Sequence, residues 1–148
     1  MKKGILGGLI GVSIVLSIDS LFRVFIALFL DTSILMFSYS EYEGLLWPVL
    51  LTIVAMISAF SGGLFSFTYG KLHKYSSLIS YLVCLMLLRY GQIHLLFETE
   101  TIIYPIVALI LSLVAVFFAW KLAFPKRPEF EGKEIEEDKS YHQPANGN

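Results

Sequence analysis

Residues 45–97 read LLWPVLLTIVAMISAFSGGLFSFTYGKLHKYSSLISYLVCLMLLRYGQIHLLF, two apolar runs broken only by Lys71-Leu72-His73-Lys74. At about 1.5 Å per residue, each run as a helix is long enough to cross a hydrocarbon core about 30 Å thick. So short a break forces the two helices to run antiparallel. The same pattern extends both ways along the chain, which gives four spans at about 4–30, 45–70, 75–97 and 102–123. Lipid offers the backbone no hydrogen bonds, and the runs lack the alternation of a barrel strand, so each span must be a helix. The expected fold is an all-α integral membrane protein, a four-helix up-down-up-down transmembrane bundle. Residues 1–123 form the four-span domain, and 124–148 form a polar, disordered cytoplasmic tail.

The charges between the spans alternate in sign. Lys2 and Lys3 precede the first span, and Asp31, Glu41 and Glu43 follow it. Lys71 and Lys74 lie between spans two and three, Glu98 and Glu100 between three and four, and Lys121, Lys126 and Arg127 at the end. No lysine or arginine falls in the second or fourth of these gaps. The positive-inside rule therefore sets both termini in the cytoplasm. Lys2-Lys3 ahead of an apolar run also opens like a signal peptide, but the run continues past Asp19 to Leu30. Val15-Leu16-Ser17 makes a weak cleavage site, so a retained first helix is the reading. Aromatic anchors agree with the limits: Tyr39, Tyr42, Trp47 and Tyr104 outside, Tyr69, Tyr75 and Trp120 inside.

Composition points the same way. The 148 residues are 56% hydrophobic and 16% charged, with mean hydropathy +0.71. Soluble domains are nearer 45–50% apolar and about 25% charged. Six acids crowd the tail from Glu129 to Asp138. The net charge of −1, without a basic face, points to no nucleic-acid partner. One cysteine, Cys84, excludes a disulfide framework and paired-thiol chemistry. Pro48 and Pro105 fall in first helical turns, where a missing N–H does no harm. The gap from Asp31 to Gly44 is half apolar and reads as a segment in the headgroup region or a prolongation of the first helix. Compactness favours a bacterial-type inner membrane.

Small residues recur at helical spacing. Gly4, Gly7, Gly8 and Gly11 make two overlapping GxxxG pairs in span one. Ser58, Gly62, Ser66 and Gly70 recur every fourth residue in span two, beside a parallel row of Ala55, Ala59 and Gly63. Such rows let helix backbones approach closely, the main source of packing energy in lipid. Spans one and two are therefore expected to cross tightly near the cytoplasmic side. Span four carries a looser row of Ala108, Ser112, Ala115 and Ala119. The competing reading turns one row outward as the interface of a homo-oligomer or a larger membrane complex.

Five polar side chains fall inside spans: Asp19 and Arg23 in the first, Arg89, Gln92 and His94 in the third. A charge near the bilayer centre costs about 2.5–3.5 kcal/mol on the lenient insertion scale, so it faces a partner or water. Counted from the outer ends, Asp19 is about 16 Å deep and Arg89 about 12 Å, close enough to meet. Arg23 is one turn from Asp19 on the same face, and Arg89 and Gln92 share a face. The plain reading is an Asp19–Arg89 pair clipping span one to span three, with Arg23 snorkelling to the outer surface. The functional reading is an outward polar pocket with two arginines against one aspartate, suited to an anionic head group or solute. His94 reads as an interfacial histidine and cannot share a metal with His73 on the opposite side. Glu98 and Glu100 read as a solvated loop or as salt bridges closing the pocket. No catalytic motif, metal-ligand set or cofactor signature occurs.

Four short spans with an acid in the first is also the layout of small multidrug resistance transporters. The match ends there, because those proteins are shorter, have little polar tail and often have weak charge bias. The expected function is a non-enzymatic accessory, assembly or structural membrane component that acts through helix–helix contacts and touches membrane lipids. The alternative is a small transporter or anionic lipid- or solute-binding protein built on Asp19, Arg23, Arg89 and Gln92.

Overall fold

The computed structural model describes residues 2–30, 44–96 and 102–125. These form four long helices: α1 (Lys2–Leu30), α2 (Leu46–Tyr69), α3 (Lys74–Leu96) and α4 (Ile103–Ala123). All four are long and apolar enough to cross a membrane. Among the described residues there is no strand. The segment Asp31–Glu43, the gap holding Glu98 and Glu100, and the tail from Lys126 lie outside the described residues.

Residue contacts fix the directions. Gly4 and Gly11 of α1 face Ser77 of α3 and Gly62 of α2, while Gly63 of α2 faces Ala119 of α4. Successive helices therefore run antiparallel, and α1 and α3 run parallel. The helices pack in the ring order α1–α2–α4–α3. Contact is extensive between α1 and α2, α2 and α4, and α1 and α3, but sparse between α3 and α4. Sequence neighbours are thus antiparallel as expected, yet α3 leans chiefly on α1 rather than on α2 or α4.

Between α2 and α3 the chain makes a 3-10 turn over Lys71–His73. The Gly70 N–H donates to Ser66 O at 2.9 Å, and the His73 N–H to Gly70 O at 2.8 Å. Gly70 has φ −87°, so its lack of a side chain serves proximity rather than conformation. A Cβ there would lie 2.5 Å from Ser77 Cβ. At the far end Gly44 adopts φ 102° ahead of α2, a backbone region that disfavours side chains. Pro48 and Pro105 each stand third in their helices, within the first turn.

The glycine pairs of α1 divide between two neighbours. Gly7 and Gly11 meet α2, where added Cβ atoms would lie 2.9 Å from Ser66 O and 2.6 Å from Gly62 O. Gly4 and Gly8 meet Ser76 and Ser80 of α3 instead. Spans one and two thus approach closely, and the same glycine cluster also lets α1 nest against α3. Ser58, Gly62, Ser66 and Gly70 are all buried within the chain's own packing. Ala115 and Ala119 of α4 belong to the core, and Ser112 donates to Ala55 O at 3.3 Å.

Tyr81 of α3 occupies the point where these seams converge. Cβ atoms added at Gly11, Gly62 and Gly63 would lie 2.8, 2.9 and 3.4 Å from its ring or hydroxyl. The glycines therefore make the space that the tyrosine fills. Its hydroxyl donates to Ala59 O at 2.7 Å, and Phe67 meets its ring edge-on at 5.8 Å. Beside it, Ser66 donates to the Ser77 hydroxyl at 3.0 Å, and Ser77 donates to Ser66 O at 2.8 Å. Tyr81→Phe is expected to keep the fold and lower stability by about 0.5–1.5 kcal/mol, because Ala59 O retains its helical donor. Denaturant unfolding in mild detergent measures this.

Two serines of α1 stand outside the packing seams. Ser13 and Ser17 are exposed and donate back to Leu9 O at 3.0 Å and Ser13 O at 2.8 Å. A hydroxyl satisfied by its own helix can face lipid without another partner. Gly91, in α3, has open space where a side chain would stand. Gly91→Ala is therefore expected to be neutral or to stabilise by up to about 1 kcal/mol, read from the same unfolding transition.

Candidate functional site

The parallel register that sets Gly4 beside Ser76 and Gly8 beside Ser80 brings Asp19 level with Arg89. Arg89 Nη1 donates to Asp19 Oδ2 at 3.2 Å and to Gln92 Oε1 at 2.9 Å. The Arg89 side chain is 3% exposed and that of Asp19 18%. Asp19 and Arg89 thus join α1 to α3, while the i, i+3 spacing of Arg89 and Gln92 orients the guanidinium from its own helix.

The ion pair has a single contact and is longer than the 2.7–2.9 Å usual for a charge-assisted hydrogen bond. Asp19 Oδ1, Arg89 Nε and Arg89 Nη2 are buried and have no hydrogen-bond partner among the described residues. In a low-dielectric interior each such atom is costly. Asp19 is the sole carboxylate among the described residues, and Arg23 adds a second positive charge one turn along α1.

Arg23 is only 7% exposed, so it is not carried to the surface as expected of a snorkelling side chain. Its i, i+4 relation to Asp19 places it on a face that turns toward the bundle. His94 stands apart from the cluster, exposed and stacked on Tyr90 at 6.1 Å. His73 is exposed in the 3-10 turn at the other end. Cys84 lines a groove between α1 and α3 with Ile5, Ser76, Ile79, Ser80 and Val83. Among the described residues no three His, Cys, Asp or Glu side chains gather as metal ligands.

Comparison with protein-family models, curated proteins and solved structures finds no match to this chain. The site is therefore read from its own geometry.

Two further features bear on function. Near the helix ends marked by Trp47 and Tyr104, an apolar cluster of Trp47, Leu51, Ala55 and Ala108 joins α2 to α4. Phe22 of α1 stacks on Trp47 at 6.4 Å. On the loosely closed side, α3 and α4 leave a groove of about 450 Å³ between Leu78, Leu82, Leu113, Val116, Phe117 and Trp120. Sequence reading gave no sign of this opening or of Tyr81 as a hub. A tyrosine standing within an apolar span, away from the interfacial belts, was the available signal for the hub.

Proposed function

We propose that this protein is a non-enzymatic integral membrane component that works through helix–helix contacts in assembly or support of a larger membrane complex. It sits in a bacterial-type inner membrane with both termini cytoplasmic, an orientation supported by the alternating loop charges. The observation that carries the reading is the loosely closed α3–α4 side. Contact is extensive on three sides of the ring, and their small-residue seams are spent inside the chain. The fourth offers an apolar groove, in which a helix of a partner protein would find Leu78, Leu82, Leu113, Val116, Phe117 and Trp120. Within this reading the Asp19–Arg89 contact is a clip that holds α3 on α1.

The reading is tested by photo-crosslinking in native membranes. A benzophenone amino acid at Leu113, in the groove, is expected to give a discrete protein adduct. The same probe at Leu9, exposed on α1, is expected to give lipid adducts alone. Identical adducts at both positions, or lipid alone at Leu113, would overturn it. An adduct of two copies of this chain would make the complex a homo-oligomer.

The alternative, an anionic lipid- or solute-binding protein, is favoured by one observation: Arg89 has hydrogen-bond donors that no group among the described residues uses.

A further inference from the structure

We infer that the groove between α1 and α3 is a seat for one chain of an acidic phospholipid, whose head group rests on the lysines at the groove's mouth. This goes beyond the partner-helix reading of the α3–α4 side and needs only that the four helices span a membrane.

The groove holds about 510 Å³, and small residues make room for it. Ser76, Ser80 and Cys84 recur every fourth residue on α3 and are half-buried. Gly4 and Gly8 bring α1 against the two serines, and Ser80 donates to Ile5 O at 3.3 Å. Ile5, Ile79 and Val83 stand beside this row, each half or more exposed. From Ser76 to Cys84 the groove runs about 12 Å along the helix, most of one leaflet of a core about 30 Å thick. A spanning helix would need a seat through both leaflets, whereas an acyl chain is confined to one. No charged side chain lines the groove.

Charge names the head group. Lys2 lies one turn from Ile5 on the same face of α1, and Lys3 follows it. α1 touches the 3-10 turn that carries Lys71, and Lys74 opens α3 just before Ser76. All four lysines are exposed. The sole carboxylate among the described residues, Asp19, lies about 25 Å along α1 from Lys2. Because α1 and α3 are parallel neighbours, both also turn the positive ends of their dipoles to this mouth. Four lysines reach the number at which basic clusters beside a membrane select acidic lipids. A zwitterionic head group brings its own cation and gains less here.

The test uses the full chain in neutral maltoside micelles and counts retained lipid by native mass spectrometry. Phosphatidylglycerol and phosphatidylcholine with the same acyl chains are supplied in equal amounts. One phosphatidylglycerol is expected to be retained in preference by about tenfold or more. Lys2→Gln combined with Lys71→Gln is expected to lose most of that preference. Val83→Trp fills the groove with every lysine in place, and is expected to lose the bound lipid itself. Val114→Trp, the same change at an exposed position of α4 outside the groove, should retain it. Cys84, the chain's one cysteine, gives a second readout that needs no substitution. Its alkylation by N-ethylmaleimide in the micelle should slow with phosphatidylglycerol and not with phosphatidylcholine. Equal retention of the two lipids, retention of neither, full retention by Val83→Trp, or an unchanged alkylation rate at Cys84 would each overturn the assignment.

Discussion

Gly62→Leu is expected to unfold the bundle at denaturant concentrations where the native chain is still folded. A Cβ at position 62 would lie 2.5 Å from Gly11 O, 2.9 Å from the Tyr81 hydroxyl and 2.9 Å from Val15 Cγ2. The nearest of these is backbone and cannot swing aside, so α1 would have to withdraw as a body. Withdrawal separates Gly7 from Ser66 and empties the seat of Tyr81, so the damage spreads to three helices. Overpacking commonly costs about 1–3 kcal/mol, and the backbone contact puts this substitution at or above the upper end. Trp47 and Trp120 report from opposite ends of the bundle. Their fluorescence during denaturant titration should show both ends failing in one transition at reduced denaturant. An unchanged midpoint would mean that α1 and α2 are not in backbone contact.

Asp19→Asn has the second large effect, and it exceeds that of Arg89→Gln. The asparagine leaves the Arg89 cation buried without its counter-charge. Removing one partner of a buried pair costs about 3–5 kcal/mol, because the other charge stays uncompensated. Arg89→Gln strands a carboxylate instead, which is more exposed, so a smaller loss of about 1–2 kcal/mol follows. Combining the two substitutions removes both charges and is expected to recover most of the lost stability. Recovery distinguishes a pair from two separate contributions. If both single variants keep the native Tm, the clip is not a stabilising contact.

Much of this architecture is legible in the sequence, because lipid imposes few alternatives. Apolar runs of spanning length must be helices, and short breaks such as Lys71-Leu72-His73-Lys74 must return the chain in the opposite direction. The proximity of Asp19 and Arg89 was also accessible, since two charges at matching depth in an apolar medium seek each other. Which helix lies beside which is a different matter. Gly4 and Gly8 look like a continuation of the Gly7–Gly11 pair, and spacing alone does not say that they meet Ser76 and Ser80. The serines of α3 are the complement of those glycines, but serine is equally at home bonded to its own helix, as Ser13 and Ser17 show. Tyr81 escaped notice for a related reason: its role depends on space made by glycines on two other helices. The burial of Arg23 follows from the way its face of α1 turns inward, a rotation that depth does not determine.

Sidedness, on which the proposed reading depends, decides which way the polar cluster would face. It is measured most directly by labelling single cysteines with an impermeant thiol reagent in intact cells, using chains in which Cys84 is replaced by serine. His73→Cys, in the 3-10 turn, should react only after the membrane is permeabilised, while Thr99→Cys, between spans three and four, should react in intact cells. The reverse pattern, or labelling of both in intact cells, would contradict a four-span protein with its termini in the cytoplasm.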